Sequence, residues 1–271
     1  MTRVPNNTND STPITFAHPQ NFIVFGEMGV GKSSLINLIA GEQVAKSSSG
    51  VQSCNLKSTG YSIRLSDPQL NVNLFDTEGL DSPTMDSASY LDALVKAHEL
   101  IVSLKHQGGI HGLLFCIKGG RVSRTMQQNY RLFYEFLCQE KVPLALVITN
   151  LETEVNMDDW WTRNKDHVEK SGVVPFTQVC ITTIKGHQNA YESRYFESRT
   201  KVHNMLRVLG SAEPCSVDVS SWFVRMCRLL PGLLLAAKTL GKSHRKMMRM
   251  LTKRCKLRKE DAVRLLQRIE L

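Results

Sequence analysis

The chain has 271 residues, 42% of them apolar, and a formal net charge of +9. That length suits one α/β domain with a smaller appendage, and that apolar fraction supplies a sizeable core, so a wholly disordered chain is excluded. Seven cysteines with no Cys-x-x-Cys pair, and a polar opening from Met1 to Thr15 without an apolar signal-type run, argue against a disulfide framework and give a cytoplasmic expectation. Residues 1–19 read as a disordered leader.

The first apolar run, Phe22-Ile23-Val24-Phe25, reads as a strand over 22–26. It runs directly into Gly26-Glu27-Met28-Gly29-Val30-Gly31-Lys32-Ser33-Ser34. This is the pattern G-x-x-x-x-G-K-S, and a helix through Leu35-Ile36-Asn37-Leu38-Ile39 follows it. Successive backbone N–H groups in such a loop form a concave anion site, and Lys32 adds a mobile positive charge for phosphates. Ser33 offers a hydroxyl oxygen to Mg²⁺, a hard cation that takes oxygen ligands. The helix that starts here points its positive end at the same place. Gly26, Met28, Gly29, Val30, Gly31, Lys32, Ser33 and Ser34 are therefore the expected phosphate-binding set.

Strand patterns continue over 61–66 and 70–75. Only Asp67-Pro68-Gln69 separates them, which suits a hairpin and excludes a crossover. The second runs into Asp76-Thr77-Glu78-Gly79. An Asp at a strand end can hold a metal through water and accept from Ser33, and a Gly three residues later lets a backbone N–H approach a γ-phosphate. A helix over about 88–106 follows, with Leu91, Leu94, Val95, Ile101 and Val102 on one face; His98 on that face reads as a packing residue. A strand over 112–118 and a helix over 124–139 come next, the latter with Leu132, Phe133, Phe136 and Leu137 as its core face. The strand over 143–149 runs into Thr149-Asn150-Leu151-Glu152. A carboxylate there can accept from the N1–H and N2–H₂ of guanine, whereas adenine has no N1–H to offer. The last strand pattern covers 178–183. The order predicts an α/β fold: a mainly parallel six-stranded sheet with one antiparallel neighbour and helices on both faces.

These segments together resemble the GTPases of the translation-factor-related class. Within that class, Gly26 to Asn37, Gly50-Val51-Gln52-Ser53-Cys54, Lys118-Gly119-Gly120-Arg121, and Thr149 to Glu152 followed by Asp159-Trp160-Trp161 look like the AIG-type family, the immunity-associated GTPases and their fungal relatives. The resemblance covers residues 20–210 and implies a Ras-like P-loop GTPase domain binding GTP or GDP with Mg²⁺. It implies phosphate contacts from Gly26 to Ser34 and a second switch from Asp76 to Gly79. Thr149, Asn150 and Glu152 would face the base, Asn150 and Glu152 standing where the usual Lys and Asp stand. Ser33 and Asp76 would serve the metal. The first switch falls on Ser47 to Thr59, with Asn55 in the place of the usual metal-sensing Thr and Ser53 or Thr59 as substitutes.

Many small GTPases place a water-orienting Gln directly after Asp-x-x-Gly; here that place holds Leu80. Hydrolysis then needs Lys32 together with another group. Glu78 and Arg121 head the candidates, with Ser82 and Arg124 behind them, and an Arg supplied across a homodimer at the nucleotide face could neutralise developing charge. The expectation is a slow, dimer-assisted GTPase acting as a nucleotide-controlled assembly or partner switch. Two alternatives stand beside it: an ATP-using P-loop NTPase, and an interaction module that kept the fold and lost turnover.

Residues 216–271 form the appendage. They carry 14 Lys and Arg against 4 acidic residues, or +10, while the preceding 215 residues sum to −1. The Gly210-Ser211-Ala212-Glu213-Pro214 stretch marks the boundary. Helical patterns occur here (Trp222, Met226, Leu229, Leu230 and Leu233; Ala262, Val263, Leu265, Leu266 and Ile269), but the longest apolar run is far short of the ~20 residues that span a bilayer. Three readings fit this appendage, in descending order: a helical cap packed on the main domain, attraction to an anionic membrane surface, and nucleic-acid contact. The last has no aromatic-interleaved basic stretch to support it.

Overall fold

Six strands form one sheet: β1 (Gln20–Gly26), β2 (Ser58–Arg64), β3 (Asn71–Thr77), β4 (Gly112–Lys118), β5 (Leu144–Thr149) and β6 (Thr177–Cys180), in the spatial order β2-β3-β1-β4-β5-β6. The structure is a computed structural model and describes residues 19–45, 58–65, 70–77, 97, 99–120, 122–216 and 259. β2 and β3 pair antiparallel, and every other neighbouring pair is parallel. The short link between β2 and β3 leaves the chain no room for a crossover, so the antiparallel neighbour falls where the spacing placed it. β2 begins at Ser58 and β3 reaches Thr77, both beyond the limits read from hydropathy.

β1, β4 and β5 are buried along nearly their whole length. Their apolar runs are continuous because both faces are covered, as expected for strands in a parallel sheet. Phe22, Val24, Leu114, Cys116, Ala145 and Val147 face one layer, formed by α1 (Lys32–Ala40) and α5 (Glu192–Gly210). Ile23, Phe25, Leu113, Phe115, Leu144 and Leu146 face the other. That second layer holds α2 (helical at 97 and 99–105), α3 (Arg124–Tyr130) and α4 (Asp159–Lys170). In α2, Leu100, Ile101 and Leu104 are buried, whereas Val102 of the expected face is half-buried, so the buried stripe is turned toward Leu100 and Leu104. The earlier part of that expected helix, with Leu91, Leu94, Val95 and His98, lies outside the described residues.

The helix expected over 124–139 changes character midway. It is α-helical to Tyr130 and a π-helix over Arg131–Leu137, closed by the Cys138 N–H donating to the Phe133 carbonyl at 2.9 Å. Phe133 and Leu137 are buried, and Phe25 stacks between Phe115 (4.7 Å between ring centres) and Phe133 (4.5 Å). Gln139 and Glu140, with φ of 54° and 56°, end the segment in the left-handed region without a glycine.

β6 is shorter than the expected 178–183. Ile181 still donates to Ile148 O at 2.8 Å, but its own carbonyl turns to accept from Leu151 N at 3.3 Å, which draws Thr182 and Thr183 out of the ladder and over the end of β5. After α5 the chain returns to the domain, where Ile110 and Cys215 form an antiparallel bridge. The leader and, apart from residues 216 and 259, the basic tail lie outside the described residues. Among the described residues no helix is long and apolar enough to cross a membrane.

Candidate functional site

The carboxyl ends of β1, β3, β5 and β6 meet at one edge of the sheet, where ligands bind in open α/β folds. The loop after β1 is shaped by its glycines. Gly26 has φ of 140°, and a Cβ there would lie 2.1 Å from the Cys116 carbonyl oxygen on β4. Gly29 and Gly31, at φ of 79° and 92°, turn the chain so that Leu35 N–H can donate to Gly31 O at 2.8 Å and start α1. No side chain caps that helix. Its first N–H groups therefore open toward the loop, the arrangement that accepts an anion.

Lys32 folds back across the loop and is 9% exposed. Its ammonium donates to Gly26 O at 2.7 Å and to Glu27 O at 2.9 Å. An ammonium has three donors, so one N–H remains for an anion seated in the cradle. Met28 forms the outer lip at 59% exposure, and Val30 is buried beneath it. The Glu27 carboxylate accepts from Ser123 Oγ, which itself accepts from the Met126 N–H at 2.8 Å, so the loop is also tied to the start of α3.

Ser33 Oγ donates to Asp76 Oδ2 at 3.4 Å. This brings the expected metal hydroxyl and the expected metal-side carboxylate together from the start of α1 and the end of β3. Hard oxygens at this spacing suit Mg²⁺, which commonly takes one or two protein oxygens and completes its shell with water and phosphate. Thr77 fixes the end of β3 by donating to Val24 O at 2.9 Å. In the β2–β3 register Thr59 stands opposite Asp76, which brings that expected substitute beside the site. Asn55, Glu78, Gly79, Leu80 and Arg121 lie outside the described residues, and so do Ser53 and Ser82.

At the end of β5, Thr149 is fully buried. Its hydroxyl lies 2.6 Å from Val30 O, 3.1 Å from Ile117 O and 3.0 Å from Asn150 Oδ1, and its side chain sits 3.7 Å from the place of a Gly31 Cβ. Asn150 takes φ of 61°, a left-handed turn that Asn tolerates better than most residues, and leaves its side chain exposed. Glu152 follows, half-buried, and its Oε2 accepts from Thr182 Oγ1 at 3.2 Å.

Thr182 escaped the sequence reading, as did Arg194 and Ser198 on α5. The Arg194 guanidinium donates to Glu152 O and Glu154 O, and Ser198 Oγ accepts from the Thr182 N–H at 3.0 Å. The only available signal was the paired Thr182-Thr183 at a strand end. The contacts from α5 span more than a dozen residues of sequence and leave no local pattern.

A family model described as a 50S ribosome-binding GTPase matches residues 21–150. No curated protein matches the sequence. Among solved structures, Era in complex with MgGDPNP and nucleotides 1506–1542 of 16S ribosomal RNA is 16% identical with a TM-score of 0.52, covering 80% of this chain and 68% of Era. An Aquifex aeolicus Era variant bound to GDP and AlF₄⁻ is 16% identical, with a TM-score of 0.50 and coverage of 79% and 67%. Toc33 from Arabidopsis thaliana in complex with GDP and Mg²⁺ is 18% identical, with a TM-score of 0.50 and coverage of 73% and 86%. Fold and cradle together define the class: the chain has the α/β P-loop GTPase fold. The matched part runs from β1 through the phosphate loop to the end of β5 and Asn150.

Proposed function

We propose that this domain is an AIG-type, Mg²⁺-dependent guanine-nucleotide switch with slow GTP hydrolysis. The observation that carries the reading is the Glu152 carboxylate, held by Thr182 at the end of β5 and linked through Thr149 to the phosphate loop. A fixed carboxylate beside a phosphate cradle suits a base with adjacent N1–H and N2–H₂ donors and leaves adenine unmatched. Era and Toc33, whose solved structures hold MgGDPNP and GDP with Mg²⁺, provide the same ligand chemistry on this fold.

In this reading the amides of Gly29 to Ser34 and the free N–H of Lys32 hold the β- and γ-phosphates. Ser33 and Asp76 hold the metal side, where Mg²⁺ neutralises charge on the phosphate oxygens. Thr149, Asn150 and Glu152 line the base. Leu80 cannot orient water, so turnover alone is slow. A second copy of the chain facing the nucleotide, with Arg121 as the residue it offers, raises the rate. The +10 charge of the tail supports peripheral attachment of a cytoplasmic protein to an anionic surface.

Two measurements test this. Affinities for GTP, GDP and ATP with Mg²⁺ are expected to favour both guanine nucleotides; equal binding of ATP and GTP overturns the base assignment. Turnover per molecule is expected to be slow and to rise with protein concentration, with Lys32→Ala as the inactive control. A parent rate no higher than that control establishes the interaction-module alternative.

A further inference from the structure

Loop 152–155 has little packing to hold it in place. Leu151 and Met157 are buried at its two ends, but Thr153 is exposed and Val155 is 93% exposed. Such a loop would ordinarily sample many conformations. Here one side chain gathers its carbonyls. Arg194 Nη1 donates to Glu152 O and, at 2.6 Å, to Glu154 O, while Nη2 reaches Val155 O at 3.4 Å. Among the described residues these contacts go to main-chain oxygens and none goes to a carboxylate. The nearby Arg163–Glu154 and Lys201–Asp158 pairs are ordinary surface ion pairs by contrast.

One turn further along α5, fully buried Ser198 donates to Arg194 O at 2.7 Å and accepts from the Thr182 N–H at 3.0 Å. Thr182 in turn donates to Glu152 Oε2 at 3.2 Å. A single turn of α5 therefore fixes Glu152 from both sides, its main chain through Arg194 and its carboxylate through Ser198 and Thr182. Glu has one more rotatable bond than Asp, so presenting its carboxylate in one place requires more restraint. A planar guanidinium presents its donors in a rigid fork that holds several carbonyls in one arrangement, whereas an ammonium carries three rotatable donors on a flexible stem.

We infer that Arg194 is a positioning residue for purine recognition: from α5 it shapes loop 152–155 so that the Glu152 carboxylate meets the edge of the base. This rests on the guanine-reading role proposed for Glu152. It adds that the selectivity is set by a helix that lies outside the phosphate and base loops.

The test uses the full chain with Mg²⁺ and measures displacement of a fluorescent GTP analogue by GTP and by ITP, which lacks the N2 amine. The parent is expected to prefer GTP. Arg194→Ala is expected to lower the GTP-to-ITP preference about tenfold while changing ITP affinity less than about twofold, because the phosphate cradle is untouched. Arg194→Lys keeps the charge but loses the rigid two-nitrogen fork that holds the three carbonyls together. It should lose most of the preference as well, and it serves as the reporter if the alanine variant is insoluble. In a Glu152→Ala background, Arg194→Ala should change the preference no further. Equal weakening of GTP and ITP, or a preference that survives both Arg194 variants, overturns the inference and leaves the role of Glu152 standing. A parent with no preference overturns the base assignment and this inference with it.

Discussion

The Thr149 hydroxyl lies 2.6 Å from the Val30 carbonyl, with both residues buried, and this contact joins the phosphate loop to the end of β5. The same oxygen is 3.1 Å from Ile117 O at the end of β4, so three consecutive segments of the binding edge meet at one atom. Loop and base segment are therefore expected to move as a unit. Thr149→Val preserves volume and removes the donor, leaving buried carbonyls without it. The expected loss of stability is about 1–2 kcal/mol, read from urea unfolding midpoints. GTP and ATP affinity should fall together, since the lost hydroxyl bond holds the cradle while the Glu152 carboxylate that discriminates the bases is untouched. An unchanged midpoint would show that the carbonyls find other partners.

Gly26 and Gly29 both have positive φ but differ in surroundings. A Cβ on Gly26 meets the Cys116 carbonyl oxygen at 2.1 Å, whereas a Cβ on Gly29 meets nothing within 4 Å. Gly26→Ala must separate β1 from β4 at the site, and a loss of several kcal/mol, on the scale of strong core disruption, is expected. Gly29→Ala carries only the backbone term of about 1–2 kcal/mol. Thermal unfolding of the two variants side by side checks this order, and equal losses would refute the part given to the clash.

Much of this edge was readable from the chain, because the relevant signals are local. Phe22 to Phe25, Gly112 to Lys118 and Leu144 to Thr149 are apolar on both faces and announce buried parallel strands. The glycine spacing from Gly26 to Gly31 needs no partner to be recognised. The π-helix over Arg131–Leu137 was not readable. Phe133 and Leu137 satisfy an α-helical apolar face equally well, and the wider closure is a matter of backbone hydrogen bonding, as in the contact from Cys138 N–H to Phe133 O. The support from Arg194 and Ser198 was invisible for a different reason. Arg194 reads as one more surface cation on a polar helix, and its role depends on where β6 leaves the ladder at Ile181. The expected Glu78, Gly79, Asn55 and Arg121 fall on segments outside the described residues.

Two histidines make stability depend on pH. His111 Nδ1 accepts from the Asn21 N–H at 3.1 Å, and burial lowers its pKa from the usual 6.5. A protonated ring cannot accept that bond. His203, whose Nε2 lies 3.1 Å from Ile39 O, is also held below 6.5, chiefly by burial, with the charges of Arg199 and Arg207 adding to it. In both cases the unfolded chain takes up the proton first as pH falls. Stability is therefore full above 6.5 and is lost as pH drops from there through the lower folded-state values. Urea midpoints measured from about pH 7.5 down to about pH 5 should decline, and His111→Gln should flatten the slope. A slope that the substitution leaves unchanged would assign the loss to other groups.

Ser33 and Asp76 stand 3.4 Å apart at the metal side of the cradle, and Asp76 is buried while Ser33 is half-buried. If the pair serves Mg²⁺, triphosphate binding and metal binding are linked, because each then stabilises the state that receives the other. Chelating Mg²⁺ should weaken GTP binding to the parent by on the order of 10–100-fold. Asp76→Asn keeps size and hydrogen bonding but removes the charge. It should shift the Mg²⁺ concentration that half-saturates GTP binding upward by a comparable factor, while affinity for GTP without metal stays close to the parent's. Ser33→Ala should bind GTP weakly with or without metal, since it loses both the ligand oxygen and the link to Asp76. Titrating Mg²⁺ at fixed GTP in the three proteins separates these outcomes. If the half-saturating concentration in Asp76→Asn matched the parent's, Asp76 would be only a structural partner of Ser33, and the metal would have to be held by other oxygens.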